Sequence, residues 1–280
     1  MKEIMGNVNP ANKILDQAET ALTDGLPLEA EKICLDFIEK NERSGHAQFL
    51  LAEALRMQGR SEEAVHAYQA CVLILPSHAD AWGALSSVLF EALEWEDARK
   101  TANRALRENL WCAEASFVRG ALRERNGDYS GAHRDFLRAW RADRNSWPMP
   151  AHREDEEVER MIEAAVSELH PSIRDYMANV AIILEDLPST EVLWSYDPPA
   201  SPTALLGYFS GYTMMESPTE APWSTLPPAM VIYRRNIERM AADTEEIIEQ
   251  LRVTFLHEVG QALGLDEEVV EYSGETISEE

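Results

Sequence analysis

Near the end of the chain, His257 and Glu258 stand together in TFLHEVGQALGLDEE, residues 254–268. Residues four apart on a helix share a face, with Cβ atoms about 5–6 Å apart. Two histidines at that spacing bracket one zinc ion, and a glutamate after the first points at the metal-bound water as a general base. This chain has the histidine and the glutamate, but Gln261 stands four positions beyond His257. A carboxamide offers a neutral, hard carbonyl oxygen, which suits calcium or magnesium better than zinc. It also lacks the σ-donation that helps hold a zinc-bound water near a pKa of about 7. A third ligand in such a site arrives after a glycine turns the chain back, and Gly264 is the candidate turn, with Asp266 and Glu267 just past it. The chemistry in view is zinc-assisted hydrolysis, weakened at Gln261.

The elements that must position these residues are legible around them. Asp243 followed by Glu246 makes a capping-box-like start, so a helix is predicted from Thr244 to Leu263, with Gly264 as its stop. AMVIYRR, residues 229–235, reads as a strand, and VAIILEDLP, residues 180–188, as a buried one. Prolines and glycines crowd residues 197–228, which read as loops with a short strand or helix at Leu205–Tyr208. An acidic helix over residues 154–169 places Val158, Met161, Ile162, Ala165 and Val166 on one face. His152, His170 and the histidines of the first half have no spacing that brings them to His257.

From Ala229 to Glu268 the order is a strand ending in YRR, an acidic helix start, HEVG and GLDE. This order resembles the small bacterial zincin-like metallopeptidases, whose helix carries HExxHxxGxxD. With the upstream strand the resemblance covers about residues 155–274. It implies a small α+β domain with His257 as first zinc ligand and Glu258 as general base. It also implies Glu267 as the downstream carboxylate ligand, Asp266 as the alternative, and Gln261 at the place of the second histidine. Two functions follow from it. One is a zinc-dependent metallopeptidase whose hydrolysis is weakened or lost through Gln261. The other is an inactive pseudo-enzyme that acts as a protein–protein adaptor.

The first half repeats itself. Windows of 34 residues beginning at Ala11, Gly45, Ala79 and Ala113 put alanine at the twentieth position of each, as Ala30, Ala64, Ala98 and Ala132. The eighth position is always small (Ala18, Ala52, Ser86, Gly120), and the fifteenth is Gly25, Gly59, Leu93 and Gly127. Small residues at fixed sites let paired helices approach, and glycine supplies the turn between them. The pattern resembles four tetratricopeptide repeats, which implies an α-solenoid whose concave face binds a protein or peptide. By that resemblance the groove includes Leu15, Phe49, Glu53, Phe90 and Phe117, with Glu19 and Glu114 among them. The lysine-and-asparagine set that grips a carboxylate terminus in some family members is missing, so the expected ligand is an apolar segment with basic flanks.

Composition bounds the rest. A net charge of -25 over 280 residues disfavours nucleic acid and anionic membrane surfaces as partners, since both require a basic face. Cys34, Cys71 and Cys112 have no CxxC spacing and read as small core residues in a reducing compartment. With no apolar leader at the start and no long apolar run, a cytoplasmic location is expected. The expected fold class is mostly α, an N-terminal repeat solenoid and a small C-terminal α+β domain. The expected organisation is a lead-in at 1–10, four repeats at 11–144, a linker at 145–154, the zincin-like domain at 155–272 and an acidic tail at 273–280.

Overall fold

The computed structural model describes residues 10–210, 228–240 and 243–263. The chain divides into two compact units, Met1–Trp147 and Pro148–Glu280. Among the described residues the regular elements of the first are all helices: α1 (Pro10–Thr23), α2 (Pro27–Lys40), α3 (Gly45–Met57) and α4 (Ser61–Ile74) are followed by α5 (Ala79–Glu91), α6 (Trp95–Glu108), α7 (Ala113–Arg125) and α8 (Tyr129–Ala142). Each odd-numbered helix packs on the even-numbered helix after it, and each pair stacks on the next. The repeat arithmetic is visible in the core. Ala18, Ala52 and Ser86 are fully buried, as are Ala30, Ala64 and Ala98. A Cβ added to Gly120 would lie 2.8 Å from the Phe136 ring, which is why that position stays small.

The turns inside the repeats share one backbone solution. Gly25, Gly59 and Gly127 have φ of 72°, 73° and 75°. Leu93, at the same place in the third repeat, takes φ 63° with a side chain, and that side chain is buried. Its apolar burial offsets a left-handed conformation that costs a non-glycine residue roughly 1–2 kcal/mol. Side chains cap several helices: Ser44 accepts from the Ala47 N–H at 3.3 Å, His78 Nδ1 from Ala81 at 3.1 Å, and Asp128 from Gly131 at 2.9 Å. The three cysteines are free and buried, and burial pushes their thiols up to about 11.

The second unit runs α9 (Asp155–Ser167), α10 (Pro171–Met177), β1 (Ala181–Glu185), α11 (Thr190–Trp194), β2 (Gly207–Ser210), β3 (Ala229–Tyr233), α12 (Arg234–Arg239) and α13 (Thr244–Leu263). The sheet order is β1-β3-β2, with β1 parallel and β2 antiparallel to β3. Met230 and Ile232 of β3 are fully buried, and they form one core with Val158, Met161 and Ile162 of α9 and Ile247, Leu251 and Phe255 of α13. The four-residue spacing on α13 gives the helix its inward stripe. Asp243 caps it, accepting from the Glu246 N–H at 3.0 Å.

Two expectations need correcting here. The short element expected at Leu205–Tyr208 is strand β2, displaced to Gly207–Ser210. The run VAIILEDLP does form a strand, but not a buried one: Ile182 and Ile183 are 41% and 43% exposed. The cause is position, because β1 is an edge strand that pairs with β3 alone among the described residues. An apolar β-branched run fixes the strand and does not fix how many faces are covered.

The segment leading into α9 is stitched to α12. The Ala151 N–H donates to the Glu238 carbonyl at 2.7 Å, and the Arg153 N–H to the Glu238 carboxylate at 3.2 Å. Arg235 Nη1 reaches the same carboxylate at 2.8 Å, so a side chain only 4% exposed is neutralised in place. No helix of the described residues is long and apolar enough to cross a membrane.

Candidate active site on the last helix

The inward stripe of α13 leaves its opposite face to a cleft. Gln250, Val253, Thr254 and His257 succeed one another along that face, and with Tyr196, Ala200, Ala204 and Leu206 they line a cavity of about 380 Å³. Two neighbouring residues at its end differ sharply. The His257 side chain is exposed, whereas Glu258 is 7% exposed.

Glu258 is held at both ends of its carboxylate. One oxygen accepts from the Tyr196 hydroxyl at 3.1 Å, and the other from the Phe209 backbone N–H of β2 at 3.0 Å. These bonds tie α13 to the edge strand of the sheet and to the loop after α11. Burial, and then the Glu258 charge, push the Tyr196 phenol well above its ordinary value, so it remains a donor. Tyr208 of β2 stands edge-on to Tyr196, with ring centroids 6.4 Å apart. Nothing in the sequence signals this arrangement. Tyr196 lies among prolines with no periodicity around it, and the Phe209 donor is a backbone group.

The remaining residues expected at the site are less fully placed. Gln261 lies on α13, one turn past His257. Asp266, Glu267 and the turn glycine Gly264 lie outside the described residues, as does the acidic tail at 273–280. Zinc, the ion that the motif implies, takes protein donors drawn from imidazole, thiolate and carboxylate groups. His257 supplies one such donor at the cleft, and the expected carboxylate ligands lie outside the described residues. Among the described residues no group of three His, Cys, Asp or Glu side chains is placed to hold a metal.

In the first unit, the residues expected to line a groove fall into two groups. Leu15 and Phe90 are 7% and 2% exposed and belong to the packing of the repeats. Phe49, Glu53 and Phe117 are half-buried. Phe49 stacks near His78 at 4.9 Å, and Phe117 near Trp147 at 4.7 Å. Glu53 accepts from the Tyr68 hydroxyl and pairs with Arg56 at 2.6 Å. Burial raises the Glu114 carboxyl to about 7, with Arg56 opposing the shift and Glu53 adding to it.

Comparison with known proteins follows the same division. Residues 177–275 match the family described as zincin-like metallopeptidase, and residues 15–79 and 83–148 match the tetratricopeptide repeat. Solved structures similar to the chain include one titled as the crystal structure of MamA. It is 21% identical over 50% of this chain and 82% of that one, with a TM-score of 0.43. Another is pilF of Pseudomonas aeruginosa, 17% identical over 48% of this chain and 62% of that one, with a TM-score of 0.44. A third, YrrB, is titled as a repeat protein with an unusual peptide-binding site. It is 18% identical over 49% of this chain and 71% of that one, with a TM-score of 0.42. No curated protein matches the chain.

Proposed function

We propose, for a chain whose first half is a tetratricopeptide repeat array and whose second half carries a zincin-like metallopeptidase domain, that it binds polypeptides through both halves and has lost most or all peptide hydrolysis. The observation that carries this reading is Gln261, which stands four positions past His257 on α13, where the family has its second histidine, so the site loses a nitrogen donor. Glu258 accepts one hydrogen bond on each oxygen, from Tyr196 and Phe209, which holds its carboxylate in place beside His257. The cleft beside His257, small and largely apolar, suits an extended segment laid along β2. On the repeat array, the carboxylates of Glu53 and Glu114 beside Phe49 and Phe117 favour an apolar ligand with basic flanks.

The experiment is elemental analysis of protein purified without chelator, alongside a peptidase assay on unfolded polypeptide. The expected result is zinc well below one equivalent, no turnover, and a marked gain in zinc affinity in Gln261→His. One equivalent of zinc with turnover abolished by Glu258→Gln overturns the reading. That outcome would restore the second reading, a working zinc metallopeptidase, which is favoured by the adjacent placement of His257 and Glu258 at the cleft and by the family match.

A further inference from the structure

The chain is acidic overall, yet eleven of its 25 lysines and arginines fall within residues 95–144, where they outnumber eight acidic residues. At the centre of this region is Asp135 on α8, whose side chain is 1% exposed. Its Oδ1 accepts from Arg119 Nη2 at 2.7 Å and Arg138 Nη1 at 2.6 Å. Its Oδ2 accepts from Arg119 Nε at 2.8 Å and Arg123 Nη1 at 2.7 Å. The two bonds from Arg119 already form a bidentate pair that neutralises the carboxylate. Arg123 and Arg138 therefore bring two further positive charges, and Asp128 lies 3.7 Å from Arg123 Nε. Their side chains stay 36% and 26% exposed, and Arg134, one residue before Asp135, is exposed beside them.

This surface is separate from the groove. Arg119 lies two residues past Phe117, which turns it about 200° around α7. It reaches Asn103 on α6, at 3.4 Å.

The geometry points to a docking surface on α7 and α8 for an acidic, carboxylate-rich extended segment of a partner protein. Charge complementarity selects the occupant. Guanidinium forks match carboxylates in pairs, and two further guanidiniums match two or three neighbouring side-chain carboxylates. A nucleic acid is a longer continuous polyanion, which would extend from this patch over a chain of net charge -25. The assignment stands independently of the zincin-like cleft.

The test is fluorescence polarisation with labelled hexaglutamate titrated against the full chain at low and at physiological salt. Saturable binding is expected, falling with salt. The double variant Arg123→Gln, Arg138→Gln should bind about tenfold more weakly, while Arg123→Lys, Arg138→Lys, which keeps the charge but loses the fork, should recover only part of the affinity. Arg119 is left in place, so Asp135 keeps a partner and the melting temperature serves as the check on folding. If the double variant does not fold, Arg123→Ala alone should weaken binding about threefold. The proposal is overturned if hexaglutamate does not bind, if the variants bind it unchanged, or if labelled hexauridylate binds equally well through the same arginines.

Discussion

Glu258 is a pin between α13 and the sheet: each of its oxygens accepts one hydrogen bond, which fixes the carboxylate and leaves each oxygen a second lone pair. Glu258→Ala leaves the Phe209 N–H without its partner, so a loss of about 1–3 kcal/mol is expected in denaturant unfolding. Tyr196→Phe should lose about 1 kcal/mol. Stability unchanged in both variants would mean the carboxylate is not a pin. Glu114 makes a second prediction, set by its carboxyl at about 7 rather than the ordinary 4.5. Between those values the folded chain holds a proton that the unfolded chain has released, so stability falls as pH rises through that window. Glu114→Gln should flatten this fall, which melts at pH 5 and pH 8 would reveal. At this scale the sequence was legible where spacing carries meaning, as in setting His257 and Glu258 side by side on α13 at one cavity. It was silent where a partner is a backbone amide or a tyrosine 62 positions away.

At the scale of elements, the repeat was readable because its constraints are local. An alanine every 34 residues marks a helix crossing, and a glycine marks a turn in the left-handed region. Gly59 has φ 73° and nothing within 4 Å of an added Cβ, so Gly59→Ala tests the backbone term without a packing term. A loss of about 1 kcal/mol is expected in thermal or urea unfolding. Gly120→Ala meets the Phe136 ring instead and should lose about 1–3 kcal/mol through overpacking. The helix Thr244–Leu263 was equally plain, because its cap and its apolar stripe agree. The strands were readable as strands only. Alternation and β-branching do not say which strand is central, and β3 rather than β1 proved to be the buried one.

For the whole molecule, charge is the property that reaches farthest. Self-repulsion opposes compactness above all in the second unit, where 27 acidic residues face seven basic ones, and mobile ions screen it over about 8–10 Å at moderate salt. The melting temperature should therefore rise as sodium chloride is added to a few tenths molar, and a fall would mean that specific ion pairs outweigh the net repulsion. The same charge bears on the edge of the sheet. The Ala181 N–H donates to the Pro228 carbonyl, so alternation turns the amides of Ile182 and Leu184 outward, flanked by apolar side chains. Uncovered among the described residues, such a rim is a template on which identical strands can stack into fibrils, and repulsion between acidic copies opposes that stacking. Acidification toward the isoelectric point near 4.6 removes that guard, so turbidity and thioflavin fluorescence should appear there first, and a lysine at Ile183 should suppress both.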